Sequence, residues 1–407
     1  MRKGRFLFLA VLVFGSSLFA IKGFTWDMGI PKFYFASVSI AIFIVSFSLK
    51  AVRNPCSVRV TLPQLLSLLF GFHACLTTFQ LLNTLPNVFL TSLGFAMNLL
   101  LFLLFSLLIS AEKQETLLTI LQLFLFAGLI IAFDAVFSFY TGYGLLWGTE
   151  NDPFTRGNLS SVIGNVNFTT DLMAMLLFPA AFLTVSKKKI WKHEKIRHYF
   201  YLSLYSLFLI VIVIGQTRAV YYSVIISMVF LVVFLIFSIL RFKLRSFISV
   251  FSRLFVVLLI ISTIVIMIVY SGDNPLTSGR FSFSERLTYT TDDYVSVDVR
   301  ILQWKAAIKQ WESSAFLGTG FGSYKYLSTE NMGKVLTEEP EYMYVAGLNS
   351  IRTHNEYLQQ MSETGIIGIV LIMTFIVAML FYTVGVVKRS YSVEKVTKYL
   401  FLEAGLL

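Results

Sequence analysis

Val88-Phe89-Leu90-Thr91-Ser92-Leu93-Gly94-Phe95-Ala96-Met97-Asn98-Leu99-Leu100-Leu101-Phe102-Leu103-Leu104-Phe105-Ser106-Leu107-Leu108-Ile109-Ser110 runs for 23 residues without a charged side chain. At a rise of about 1.5 Å per residue, a helix of that length crosses the roughly 30 Å hydrocarbon layer of a bilayer. Comparable apolar runs recur along the chain, and spanning helices are expected near 6–22, 33–49, 64–82, 88–110, 117–140, 169–186, 199–215, 219–240, 254–270 and 365–387. An eleventh apolar segment opens at Tyr399 and meets Leu407 before it is long enough to span. The chain is therefore expected to be truncated, or its last segment to lie at the surface.

Composition agrees with the runs. Of 407 residues, 57% are hydrophobic and 14% charged, and the mean hydropathy of +0.76 is far above that of a soluble domain. The fold class that follows is all-α, a polytopic transmembrane helical bundle of about ten to twelve helices. The net charge of +11 does not indicate nucleic acid, because the Lys and Arg residues sit in short loops between apolar runs and not on one folded polar surface. Cys56 lies in a basic loop and Cys75 within an apolar helix, so the two are at different depths and no disulfide is expected. Residues 1–20 resemble a secretory signal, with Arg2, Lys3 and Arg5 ahead of an apolar stretch. Cleavage there would leave the topology of everything downstream unchanged.

With the N-terminus inside, the inner loops collect Lys50, Arg53, Arg59, Lys113, the Lys187–Arg197 cluster, Arg241 to Arg253, and Lys388 onward, whereas the short outer loops hold Lys22, Lys32, Arg156 and Arg218. That asymmetry follows the positive-inside rule. The same parity divides the chain into transmembrane helices over 1–270, a large outer loop with amphipathic helices over 271–352, and a final transmembrane portion over 353–407. Thr141–Phe168 forms a second, shorter outer loop. Extramembrane polarity is concentrated on the outer face, so chemistry is expected there. No internal repeat of the kind seen in many transporters is present.

Arg218 falls in Gln216-Thr217-Arg218-Ala219, a very short outer turn between two apolar helices. Its guanidinium lies near the outer interface, suited either to an anionic ligand or to lipid headgroups. Arg300 opens Arg300-Ile301-Leu302-Gln303-Trp304-Lys305-Ala306-Ala307, whose Ile301, Trp304 and Ala307/Ile308 recur at helical spacing. On that reading Arg300 stands near a helix N-terminus, where the dipole favours an anion; the alternative is a solvated surface arginine. Leu317-Gly318-Thr319-Gly320-Phe321-Gly322-Ser323-Tyr324 lacks the flanking strand and Lys-Ser/Thr pair of a nucleotide cradle, and its glycines are expected to turn the backbone.

His354 sits in Arg352-Thr353-His354-Asn355-Glu356-Tyr357-Leu358, just outside the last complete span. An imidazole is the side chain best matched to take a proton from a sugar hydroxyl near neutral pH. Asn355 and Glu356 are candidates to orient it, although helical neighbours point elsewhere. His193 and His198 lie in a cytoplasmic loop and His73 deep in the third helix, and no His or Cys spacing marks a metal site. Asp134, an ionisable group within an apolar helix, is expected to be paired with an outer arginine, to be a protonated, hydrogen-bonded carboxyl, or to serve substrate.

Three stretches together resemble the O-antigen ligase and polymerase superfamily: Gln216-Thr217-Arg218-Ala219; Arg300 through Trp304 to Leu317-Gly318-Thr319-Gly320-Phe321-Gly322; and His354-Asn355-Glu356-Tyr357-Leu358-Gln359 followed by Glu363-Thr364-Gly365-Ile366-Ile367-Gly368. The likeness covers roughly 160–385, and its most specific part is the His-Asn-Glu-Tyr-Leu segment running into Glu-Thr-Gly-Ile-Ile-Gly. Gly164-Asn165-Val166-Asn167-Phe168 also resembles a family stretch. Family members carry more helices, so the stop at Leu407 departs from their pattern.

The resemblance implies a multi-pass protein of the bacterial cytoplasmic membrane, N-terminus inside, that moves a glycan from an undecaprenyl diphosphate carrier to a hydroxyl acceptor on the outer face. No cofactor, nucleotide sugar or metal is implied. Arg218 and Arg300 would grip the diphosphate and His354 would activate the acceptor hydroxyl, with Asn165, Asn167, Asn355 and Glu356 joining in substrate binding. The acceptor, whether lipid, growing glycan or protein, would be chosen by the loop 271–352; the likeness is closest to the ligases. A lipid-linked glycan transporter is the rival of another class, and its charges would line a mid-membrane cavity instead of one face.

Overall fold

The computed structural model describes residues 3–19, 29–53, 60–110, 114–185, 194–242, 262, 291–347 and 352–389. Twelve α-helices are described: α1 (Lys3–Leu18), α2 (Gly29–Arg53), α3 (Leu62–Thr78), α4 (Leu81–Thr84), α5 (Pro86–Ser110), α6 (Gln114–Thr141), α7 (Val166–Val185), α8 (Glu194–Gly215), α9 (Arg218–Phe242), α10 (Thr291–Ser313), α11 (Tyr324–Glu338) and α12 (Glu356–Arg389). Seven segments among the described residues are long and apolar enough to cross a membrane: Pro31–Leu49, Leu62–Thr84, Pro86–Leu108, Thr116–Thr141, Val166–Thr184, Lys195–Gly215 and Glu356–Gly385. The apolar helices Phe6–Leu18 and Arg218–Val233 are shorter. The protein is thus a helical polytopic membrane protein. The span expected at 254–270, the segment after Tyr399, Cys56 and the side chains of Asp292 and Asp293 lie outside the described residues.

The chain forms two units, Met1–Val38 with Lys113–Leu287 and Thr383–Leu407, and Ser39–Glu112 with Thr288–Tyr382. In the first unit, α7 and α8 bury Met173, Leu177, Phe178 and Ala181 against Tyr201, Tyr205, Phe208 and Ile212. Both helices are apolar nearly all round, as expected where neighbouring helices and not water cover them. Leu9 and Val13 of α1 pack on Leu123 and Ala127 of α6. After α6, the connecting segment folds back as a 3-10 turn, Arg156–Ile163, sealed by Phe139 and Leu159.

Asp134, toward the C-terminal end of α6, is what holds this segment down. Its carboxylate accepts from the backbone N–H of Leu146 at 3.0 Å and from the Ser161 hydroxyl. The expected arginine partner is therefore not the one used: among the described residues, a backbone amide and a serine satisfy the buried charge, which is the arrangement a buried carboxylate needs. Lys32 is likewise buried and donates to the Val162 carbonyl, so two stretches assigned to the outer face meet.

In the second unit, α3 begins at a Thr61 cap whose backbone N–H and hydroxyl both bond Gln64. Beyond the spans, α10 lies on α11 and on a 3-10 turn, Pro340–Val345, burying Leu302 and Ala306 against Met332, Val335 and Val345. Each such buried Leu, Val or Met side chain contributes roughly 1.5–3 kcal/mol. Lys305–Glu339 and Lys309–Glu338 bridge the same elements, exposed enough that solvent screens most of their attraction.

Candidate functional site

The second unit mounts His354 at the entrance to α12. His354 has φ +54°, a left-handed backbone that a side chain with Cβ adopts at a cost. The residues around it supply the compensating bonds. Asn355 caps α12, its side-chain oxygen accepting from the Leu358 N–H at 3.2 Å. The Thr353 hydroxyl donates to the Asn355 carbonyl at 2.6 Å and accepts from the Asn355 N–H at 3.0 Å. From the other side, the Trp304 indole N–H donates to the Thr353 carbonyl at 3.0 Å.

Trp304 stands one helical turn after Arg300 on α10, so the same bond brings Arg300 to the His354 loop. Arg300 is exposed. It does not open its helix, as expected from the sequence: α10 begins at Thr291, which leaves Arg300 well inside it and without the help of unbonded amides. The buried stripe also differs, consisting of Leu302, Gln303, Ala306, Ala307 and Gln310 while Ile308 is exposed. Arg300 therefore acts through its own charge.

That charge is felt at His354. The imidazole is surface-exposed, yet the surrounding chain strips part of its hydration, and this is the largest cause holding it below its ordinary value of 6.5; Arg300 and then Arg352 add to the lowering, and Glu356 opposes it. A neutral imidazole at neutral pH is the form that can accept a proton. Asn355, expected to contact substrate, uses its side-chain oxygen as the helix cap, whereas Glu356 is exposed in the first turn.

The glycine loop turns out to be a docking element. Gly318, Gly320 and Gly322 have φ +79°, +116° and +78°, and a Cβ on Gly318 would fall 2.3 Å from the Glu363 backbone. Backbone bonds then zip the loop onto α12: Thr319 N–H to the Ser362 carbonyl at 3.1 Å, Gly320 N–H to the Glu363 carbonyl at 3.0 Å, and Ile366 N–H to the Ala315 carbonyl at 2.9 Å. The Glu363 carboxylate, 1% exposed, accepts from the Gly322 N–H at 2.8 Å and the Tyr324 N–H at 3.3 Å. Amides so placed suit a carboxyl oxygen, and here the group they hold is the chain's own Glu363 side chain. Helix α12 breaks at Gly365, φ +66°, and His73 donates a ring N–H to the Thr364 carbonyl at 2.8 Å beside the break.

In the first unit, Arg218 is the first residue of α9, after Gln216 turns the chain with φ +48°. Here a helix N-terminus and a guanidinium do coincide. Arg156 braces this turn. It donates to the Gly215 carbonyl at 2.7 Å, to the Asn167 side-chain oxygen at 2.8 Å and to the Thr217 hydroxyl at 3.2 Å. Asn165 caps α7, accepting from the Asn167 N–H at 2.8 Å.

A family model described as O-antigen ligase matches residues 203–373. This stretch is an O-antigen ligase-family domain. No curated protein and no solved structure matches the chain.

The O-antigen ligase domain contains Arg218, Arg300, His354, Asn355 and Glu356, while Asn165 and Asn167 precede it. Within the second unit the structure gathers Arg300, Arg352, His354, Asn355 and Glu356; within the first it gathers Arg156, Asn165, Asn167 and Thr217 about the turn that carries Arg218. Arg156, Gln359 and Glu363 were not singled out as site residues. Glu363 belonged only to a matched motif, and nothing local marks Arg156, whose partners lie 11 to 61 positions away.

Proposed function

We propose that the protein is a membrane glycosyltransferase that passes a glycan from undecaprenyl diphosphate to a hydroxyl acceptor at the outer face of the bacterial cytoplasmic membrane, as an O-antigen ligase. The observation that carries the reading is an imidazole held neutral beside a guanidinium, on the extramembrane part of an O-antigen ligase-family domain.

In this reading His354 takes the proton from the acceptor hydroxyl as the oxygen attacks the anomeric carbon. The bond from that carbon to the diphosphate oxygen breaks in the same displacement, inverting the configuration. Diphosphate is already a good leaving group, and guanidinium charge, the role that the family resemblance gives to Arg218 and to Arg300, absorbs its developing charge in place of a metal ion. Asn167, held by Arg156, and Glu356 are assigned to the sugar portion.

The test is glycan transfer by purified protein from an undecaprenyl-diphosphate-linked oligosaccharide to lipid A-core, with a free glycan and a peptide as parallel acceptors. Transfer is expected to lipid A-core, to be lost in His354→Ala and Arg300→Ala, and to survive EDTA. Undiminished transfer by both variants rejects the mechanism; preference for another acceptor reassigns the protein within the superfamily, and inhibition by EDTA rejects the metal-free step.

A further inference from the structure

We propose that Gln359 and Glu363 are positioning residues for His354, holding in place the strained backbone on which the imidazole is mounted. The proposal rests on the glycosyl-transfer reading above.

The residues involved form a column. Asn355, Gln359 and Glu363 succeed one another at four-residue steps, so they share one face of the outer turns of α12. At the foot of the column, Glu363 is fixed by the Gly322 and Tyr324 amides. One turn up, the Gln359 side-chain amide donates to the Glu363 carboxylate at 3.2 Å. Its oxygen in turn accepts from the Thr353 N–H at 3.4 Å. Thr353 is thus held at its N–H by Gln359, at its carbonyl by Trp304 and at its hydroxyl by Asn355.

His354 follows Thr353 directly, and its φ of +54° persists only where its surroundings over-determine it. The partners of Glu363 are Gly322, Tyr324 and Gln359, so it acts on the imidazole through the backbone and not by contact. Gln359 separates the two tasks of this carboxylate. Removing Gln359 leaves the two amides that dock the glycine loop on Glu363 and cuts only the branch toward His354.

Gln359→Met keeps the length and removes both bonds. It is expected to lower turnover about 100-fold, the loss that a misplacement of about 1 Å brings, with the donor KM within about twofold. Added to His354→Ala, it should slow transfer no further, because its effect passes through the imidazole. Glu363→Gln, which sets a donor against one of its present donors, is expected to lower turnover in the same direction.

Wild-type turnover in both Gln359→Met and Glu363→Gln, with transfer lost in His354→Ala, overturns the positioning role and leaves the glycosyl-transfer reading standing. An additive loss on the His354→Ala background also overturns it in favour of a structural role. Wild-type transfer by His354→Ala instead removes the reading beneath it.

Discussion

The indole N–H of Trp304 donates to the carbonyl oxygen of Thr353 at 3.0 Å, joining α10 to the residue that immediately precedes His354. Trp304→Phe keeps the aromatic bulk and leaves that carbonyl without its donor, at a cost of about 1–3 kcal/mol. The expected outcome is a lower unfolding midpoint and about a tenfold loss of transfer, while Trp311→Phe, on the same helix but bonded to Ala315, should retain transfer. Thermal unfolding in detergent and a transfer assay check both.

The lowered pKa of His354 has a defined pH signature. In the proposed mechanism the neutral imidazole is the base, so transfer is expected to be lost as pH falls through a folded value below 6.5. Arg300→Gln removes one of the lowering causes, and the acid limb of the kcat/KM profile should move up toward 6.5 even as the maximum falls. Between the folded value and 6.5 the unfolded chain binds more protons, so this group makes the fold less stable as pH falls through that window. A limb that stays in place in Arg300→Gln contradicts the electrostatic link.

Gly318 and Gly333 predict opposite outcomes for the same substitution. At Gly318 the added Cβ meets Glu363 backbone at 2.3 Å with φ at +79°, and Gly318→Ala should destabilise by at least about 2 kcal/mol. At Gly333, inside α11, a Cβ meets nothing within 4 Å, and Gly333→Ala should stabilise by about 0.5–1 kcal/mol through helix propensity. Unfolding midpoints of the two variants decide.

Arg156 holds the turn that carries Arg218 through three acceptors, which a lysine ammonium cannot reproduce with the same planar fork. Arg156→Lys should raise the donor KM several-fold while leaving kcat near wild type, measured with the undecaprenyl-diphosphate-linked donor. A lowered kcat at unchanged KM would place Arg156 elsewhere in the cycle.

The spans were legible because apolar run length is a local property, and 88–110 returned as Pro86–Ser110 within two residues. The N-terminus of α10 was misplaced because the apolar pattern was read from Arg300 onward. Asp292 and Asp293, just upstream, are acidic residues of the kind that open a helix. The purpose of the glycine loop was hidden for another reason. Its spacing announces unusual backbone, but the carbonyls it docks on belong to Ser362 and Glu363, some forty positions later, and no periodicity reports a contact at that separation. Asp134 was recognised as needing partners, and a serine and a main-chain amide, chemically unremarkable in sequence, supplied them.

The glycine loop joins α12 largely through main-chain atoms, and main-chain atoms are common to every residue type. The joint therefore depends on backbone shape and on the three glycines that permit it, while Met332, Val335 and Val345 tie the following helix and turn to α10 by their own side chains.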